Sequence, residues 1–325
     1  MRRSLLVMTS VSMALVAAAT PSGGVAEKPS SARHSAVGDQ NDWGADDEIG
    51  AANRLTPQLA LDAAKLVTTG KTYSLGMTVD SKTPAYGHRS FRVIMTQPEN
   101  PAGKPIGSTK LTYNDEVVEG WLGVGTQLNG LGHIGIDNVY YNGNRTEDFV
   151  TVQGVRKLGL EKVPPMVTRG VLLDMAAHRG VDTVPEGTAF SAAEIKAVAK
   201  RQKVTIRPGD VVLFNTGWHK LMGKDNDRFL AGGPGINRDA ARYLADRGVV
   251  AVGSDTWALE VVPFEPGAGT FEVNQFLVAK KGIYVLENIQ SAGLAADRVY
   301  EFMFTLGHAK YAGTTQSIIN PVAIR

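Results

Sequence analysis

The stretch Gly123-Val-Gly-Thr-Gln-Leu-Asn-Gly-Leu-Gly-His133 decides how this chain is read. Its glycines leave the backbone free to take positive φ and to approach a ligand closely. Gln127 and Asn129 project from one face of an extended chain, because side chains alternate with period two. His133 has the same parity if the extended course continues. Three polar groups on one face of an apolar stretch are costly to bury without partners. The window is therefore either a hydrogen-bonded polar turn around a core histidine or a functional site.

Downstream of this window, apolar strands alternate with helices. Arg169–Asp174 reads as a buried strand, and Ser191-Ala-Ala-Glu194 is a capping box that opens a helix through Gln202. Pro208-Gly-Asp210 turns the chain into the strand Val211–Asn215. Asn237 caps a helix through Asp246, which Gly248 stops. Val249–Ser254, Ile283–Glu287 and Phe302–Leu306 are further strands. This alternation predicts an α/β layer. Upstream, Thr56-Pro57 opens a short helix ending near Gly70. Thr72–Val79 and Arg92–Thr96 are strand candidates; between them the loop Pro84–Phe91 reads either as the cover of a pocket or, the reading its His88 favours, as an ordinary solvent loop. A strand-rich first half argues against a purely doubly wound sheet. Asn142-Gly143 is a tight-turn signal.

Composition narrows the function. The 325 residues carry a net charge of +2, with 43% hydrophobic and 20% charged residues. That balance is globular and gives no electrostatic reason to propose nucleic acid or a membrane surface. The absence of cysteine excludes disulfides, thiolate nucleophiles and Cys-bound zinc. No glycine-rich phosphate loop precedes a helix, so no nucleotide cofactor is expected; no Gly-x-Ser-x-Gly elbow is present either. Arg2-Arg3, an apolar run to Ala19 and small residues up to Ala26 have the order of a signal peptide, residues 1–26. The expectation is an exported protein, periplasmic or secreted, by the general or the twin-arginine route. A Ser-, Gly- and Pro-rich linker, 27–40, leads into one folded domain, 41–325.

The candidate acid–base groups in apolar settings are His133, Asp255, Glu260 and Glu287. Asp255 follows a strand end, a usual place for a site residue in α/β folds, and is equally well placed to cap a turn. Trp257 and Glu260 share the next loop, where both are placed to line a pocket. Asn274 lies in a segment mixing amides with Phe and Val.

Taken together, these residues resemble the cyclase family of metal-dependent hydrolases, which includes kynurenine formamidase (arylformamidase), isatin hydrolase and trans-dienelactone hydrolase. The resemblance covers nearly all of residues 41–325. It is carried by Trp43-Gly44 with Asp46-Asp47 and Ile49-Gly50, Gly125-Thr126, Arg169–Asp174, Arg207-Pro-Gly-Asp-Val-Val212, Thr216-Gly-Trp218, Gly253-Ser-Asp-Thr256 and Gly282–Asn288. It implies a mixed β-sheet or barrel-like core with flanking helices, the swivelling β/β/α kind of α/β fold, in a single domain. It also implies a homodimer or homotetramer and a small-molecule substrate.

The family hallmark is H-x-G-T-H-x-D-x-x-x-H, whose ligands hold zinc or manganese. On this chain the first histidine falls on Gly123, the second on Gln127 and the aspartate on Asn129, while the last histidine is kept as His133. A later histidine falls on Asn274, and the closing glutamate is kept as Glu287. The resemblance thus implies Gln127, Asn129, Asn274 and Glu287 as positions around a divalent metal. Amide oxygens are weak ligands for such ions. Two mechanisms follow. In one, a metal activates water and His133 moves the proton. In the other no metal binds: His133 and Glu287 act directly, and Gln127 and Asn129 hold the carbonyl oxygen by hydrogen bonds. Asp255 and Trp257, with Gln127 and Asn129, are the expected substrate-binding residues in both. Either makes the chain an amide or lactone hydrolase. The rival reading is a non-catalytic binding protein that kept the pocket and lost the metal.

Overall fold

A computed structural model describes residues 43–96 and 104–325. The segments read as signal peptide and linker, 1–26 and 27–40, lie outside the described residues. No described helix is long and apolar enough to cross a membrane.

The body is one mixed nine-stranded sheet, curled into a half-barrel, with helices at its flanks. At its centre Met166–Asp174, Val211–Asn215, Ala251–Ser254 and Tyr284–Glu287 run parallel side by side. They read as near-continuous apolar runs because both faces are covered. Leu172, Val212, Val252 and Val285 are all inaccessible. The capped helices Ala192–Gln202 and Arg238–Asp246 pack against each other beside this layer. Ser191 and Asn237 accept from the backbone of Glu194 and Ala240, as their cap positions require. Gln127–Asn129 and Glu301–Leu306 add to the two sides of the parallel block antiparallel. Gln316–Ile318 completes one edge, and Val322–Ile324 with Thr72–Ser74 the other.

Several expected boundaries move. The helix opened by Thr56-Pro57 ends at Ala64, not near Gly70. The strand expected over Thr72–Val79 stops at Ser74, because Gly76 N–H turns to the Asn320 side chain (3.0 Å) and leaves the ladder. Arg92–Thr96 does form a strand, Phe91–Thr96, but it pairs only with Asp115–Gly120 as a separate hairpin. The tight turn expected at Asn142-Gly143 does form: Val139 bridges Arg145 antiparallel across it, and Asn142 holds φ +57. The Asn142 side chain donates to the carbonyls of Gly44, Ala45 and Asp47 and pins the loop holding Trp43.

Several of the sequence landmarks prove to be framework. Arg169 grips Asp210 with two nitrogens, at 2.9 and 2.6 Å, and also pairs with Glu301. A planar guanidinium matched to a carboxylate fork suits a buried pair. Asp174 accepts from Asn215 (2.8 Å), which in turn accepts from Ser291 (2.8 Å), tying two strand ends to the start of the helix Ala292–Ala296.

Candidate active site

The site grows from strand register. Gln127 stands directly across from Glu287, and on its other side Asn129 stands across from Gln316. Cross-strand neighbours meet side by side, so the Gln127 amide donates to the Glu287 carboxylate and Gln316 Nε2 donates to Asn129 Oδ1 at 2.8 Å. Between them Leu128 points the other way, fully into the core. Below, Thr126 Oγ1 donates to the Asn288 carbonyl (2.6 Å) and Asn288 Nδ2 to the Gly125 carbonyl (2.9 Å), locking the two strands. Gly125 sits at φ +70, and a Cβ there would meet Val79 at 2.4 Å, so only glycine fits.

Asn129, His133, Trp257, Asn274 and Glu287 converge on one cavity of about 180 Å³, together with Tyr86, Arg89, Ile134 and Phe271. Glu287 closes the C-terminal end of the last parallel strand, where α/β sheets present ligand sites. Gln127 stands behind Glu287 rather than on the cavity wall. His133 arrives by a route the sequence did not suggest. The extended course ends at Asn129, and a turn closed by His133 N–H to the Gly130 carbonyl (3.0 Å) delivers the ring. Parity therefore plays no part in its placement.

The expected substrate role of Asp255 does not hold. Its carboxylate is 2% exposed and accepts from Thr216 N–H (2.9 Å), Thr216 hydroxyl (2.6 Å) and Gly217 N–H (2.8 Å). It is the cap of the Thr216-Gly217-Trp218 turn and does not reach the cavity. Glu260 likewise supports the site from behind, accepting from Asn274 N–H at 3.0 Å.

Three side chains make the aromatic wall. Tyr86 stacks on Trp257, with centroids 5.0 Å apart, and Phe271 meets both edge-on. Trp257 is fixed by donation to the Gly232 carbonyl (3.1 Å). Phe271 holds φ +50, a strained setting for an aromatic residue, just before the helical turn bearing Asn274 and a π-helical stretch, Gln275–Lys280. Such strain gathers at ligand sites.

Sequence reasoning missed Tyr86, Arg89 and Phe271. The loop Pro84–Phe91 does cover a pocket, but His88 packs edge-on against Trp121 instead of entering it. The signal for Arg89 was Gly123. A Cβ on Gly123 would lie 2.8 Å from Arg89 Nη1 and 2.7 Å from Gln316 Nε2. The room left by the glycine is filled by those two side chains, and Arg89 donates to the Gly123 carbonyl at 3.2 Å.

Electrostatics separate the two titratable groups. Burial pushes Glu287 up to about 7, against the hydrogen bonds from Asn129 and Gln127 and the charge of Arg89, while Glu260 pushes it the same way as burial. Burial and the nearby Arg89 charge pull His133 down to about 4. At neutral pH the imidazole is uncharged and the carboxyl is half ionised. A neutral imidazole near pKa 4 accepts a proton less readily than a carboxyl near 7.

The donors do not fit zinc or manganese. Gln127 and Asn274 leave buried oxygens unpartnered, but these are neutral amide oxygens. Asn129 Oδ1 is taken by Gln316. The one carboxylate is held by amide donors, and a guanidinium lies beside the position of the missing first ligand. Among the described residues no cluster of three or more His, Asp or Glu is arranged to hold an ion.

Comparison with known proteins agrees with this framework. The Cyclase family profile matches residues 73–261. A crystal structure described as a novel cyclase is 30% identical, covering 87% of this chain and 96% of that one at a TM-score of 0.78. Isatin hydrolase A from Ralstonia solanacearum shares the fold at 18% identity, 83% and 98% coverage and a TM-score of 0.61. A "predicted metal-dependent hydrolase" from Bacillus stearothermophilus does so at 18% identity, 79% and 98% coverage and a TM-score of 0.51. A search of curated proteins finds no significant match. On the family profile and the 30% relative, the chain belongs to the Cyclase family.

Proposed function

We propose that this chain is a hydrolase that opens an amide or lactone bond of a small cyclic or aromatic compound, an arylformamidase-like activity. The observation that carries the reading is Glu287, a buried carboxyl near pKa 7 facing an aromatic-walled cavity that it shares with His133. Glu287 takes a proton from water, and the water oxygen adds to the substrate carbonyl carbon. The C–N or C–O bond then breaks, and Glu287 returns the proton to the leaving nitrogen or oxygen. Gln127 and Asn129 hold the carboxylate in place, while neutral His133 hydrogen-bonds the reacting oxygen. The aromatic wall orients a flat ring and keeps water from flooding the site. The fold shared with isatin hydrolase A supports this substrate class.

Purified protein is assayed with isatin, N-formylkynurenine and a dienelactone. Turnover is expected for at least one, falling by about 100-fold or more in Glu287→Gln. A turnover that Glu287→Gln leaves unchanged removes Glu287 from the mechanism. The neutral amides at 127, 129 and 274 favour a second reading, a binding protein without turnover. Ligand binding with no hydrolysis of any ester, lactone or amide decides for it. In either reading we also propose export, from the pattern of residues 1–26.

A further inference from the structure

Resting on the hydrolase reading, we infer that Arg89 supplies the positive charge of this cavity and holds a carboxylate, carried by the ligand or formed when its amide or lactone bond opens. The guanidinium occupies the space that Gly123 leaves empty. Its Nη1 donates to the Gly123 carbonyl at 3.2 Å, which uses one of five N–H donors. Among the described residues no carboxylate lies within the 4.0 Å of an ion pair with it, in contrast to Arg169, which is matched on two sides. Glu287 acts on Arg89 through its field only, its oxygens being engaged by Gln127 and Asn129.

The other groups on the wall cannot supply this charge. Asn129 and Asn274 are neutral, and His133 is held uncharged, in part by Arg89 itself. A half-buried guanidinium with free donors, beside a wall of mutually stacked aromatic rings, complements an aromatic acid. The reaction creates such a group. Water adds to a neutral carbonyl, the C–N or C–O bond breaks, and the carbonyl and water oxygens become one carboxylate. One proton goes to the leaving atom and the other to solvent as the acid ionises. Negative charge therefore grows where none stood, within reach of Arg89.

The test uses the full chain after dialysis against EDTA, with benzoate and the uncharged benzamide as probes. Binding is followed by calorimetry and by tryptophan fluorescence, with Trp257→Phe locating the signal. Wild type is expected to prefer benzoate by roughly 10- to 100-fold, the range of a hydrogen bond to a charged group. Arg89→Met and Arg89→Gln both lose the preference, and Arg89→Lys keeps part of it. Equal binding of the two probes by wild type overturns the inference. So does no benzoate binding, a preference that persists in both neutral variants, or one that needs added zinc or manganese. An intact benzoate preference with no turnover of any ester, lactone or amide removes the hydrolase reading and leaves Arg89's role standing. Turnover without that preference does the reverse.

Discussion

Gln127 and Glu287 face each other across an antiparallel pair, and the amide of one donates to the carboxylate of the other. A neutral donor on a carboxylate favours its charged form, so Gln127 draws the Glu287 pKa downward against burial. Activity that needs ionised Glu287 is present above its pKa, near 7, and lost below it. Gln127→Leu removes the donor and moves that limb to higher pH by about one unit. The kcat/KM profile between pH 5 and 9 checks this. A limb that stays in place means the amide does not act on Glu287.

The same carboxyl should cost stability. Its folded pKa, about 7, lies above the ordinary glutamate value of 4.5, so the folded state holds the proton more tightly than the unfolded chain. Below pH 4.5 both states are protonated and there is no cost. The cost grows as pH rises toward 7 and then levels off. Glu287→Gln lacks the charge, so its stability relative to wild type should improve between pH 4.5 and 8, by on the order of 3 kcal/mol. Urea denaturation at the two pH values measures it. Equal gaps at both would show that Glu287 is not held near 7. Such a destabilising group is what a functional carboxyl looks like in energy terms.

Metal dependence makes a third prediction. EDTA should leave the wild-type melting temperature unchanged, and excess zinc or manganese should not raise it, since a tight native-state ligand would. Rebuilding the family ligands requires more than adding histidines. Gly123→His alone drives its Cβ into Arg89 and Gln316. Arg89→Ala must accompany Gly123→His, Gln127→His, Asn129→Asp and Asn274→His. That variant should gain a zinc-dependent stabilisation of about 3 kcal/mol at a hundredfold excess over its dissociation constant. Such a rise in wild type would mean that these amide donors and Glu287 do hold the ion.

The framework was legible wherever a local pattern dictates structure. The parallel strands announce themselves as apolar runs, and Ser191 and Asn237 mark helix starts by their own side chains. Period two put Gln127 and Asn129 on one face, and the register then brought Glu287 to Gln127. What the sequence hid were contacts with no local signature. Asp255 at a strand end looks the same whether it binds a ligand or caps a turn; only the three donors of Thr216 and Gly217 distinguish the cases. Arg89 reaches Gly123 across 34 residues; the glycine marks room for a side chain, but nothing local says which one fills it. Titration was equally hidden, because the low pKa of His133 comes from burial and from that same arginine.

The hairpin Phe91–Thr96 with Asp115–Gly120 leads to the last prediction. Val93 and Val118 are cross-strand partners, yet they are 52% and 57% exposed, and Met95 is 60% exposed. An isolated two-stranded ribbon is marginal in water, and a contiguous apolar surface of this kind marks an interaction site. The loop that carries Tyr86 and Arg89 runs directly into this hairpin. We therefore propose that the hairpin mediates self-association, as a homodimer or homotetramer. Sedimentation should find a mass at least double that of a single chain, and Val93→Lys with Val118→Lys should reduce it to the monomer. The lysine pair should also weaken benzoate binding by several-fold, because losing hairpin support loosens the loop that positions Arg89. A wild-type monomer, or an oligomer indifferent to both lysines, would count against the hairpin as the contact.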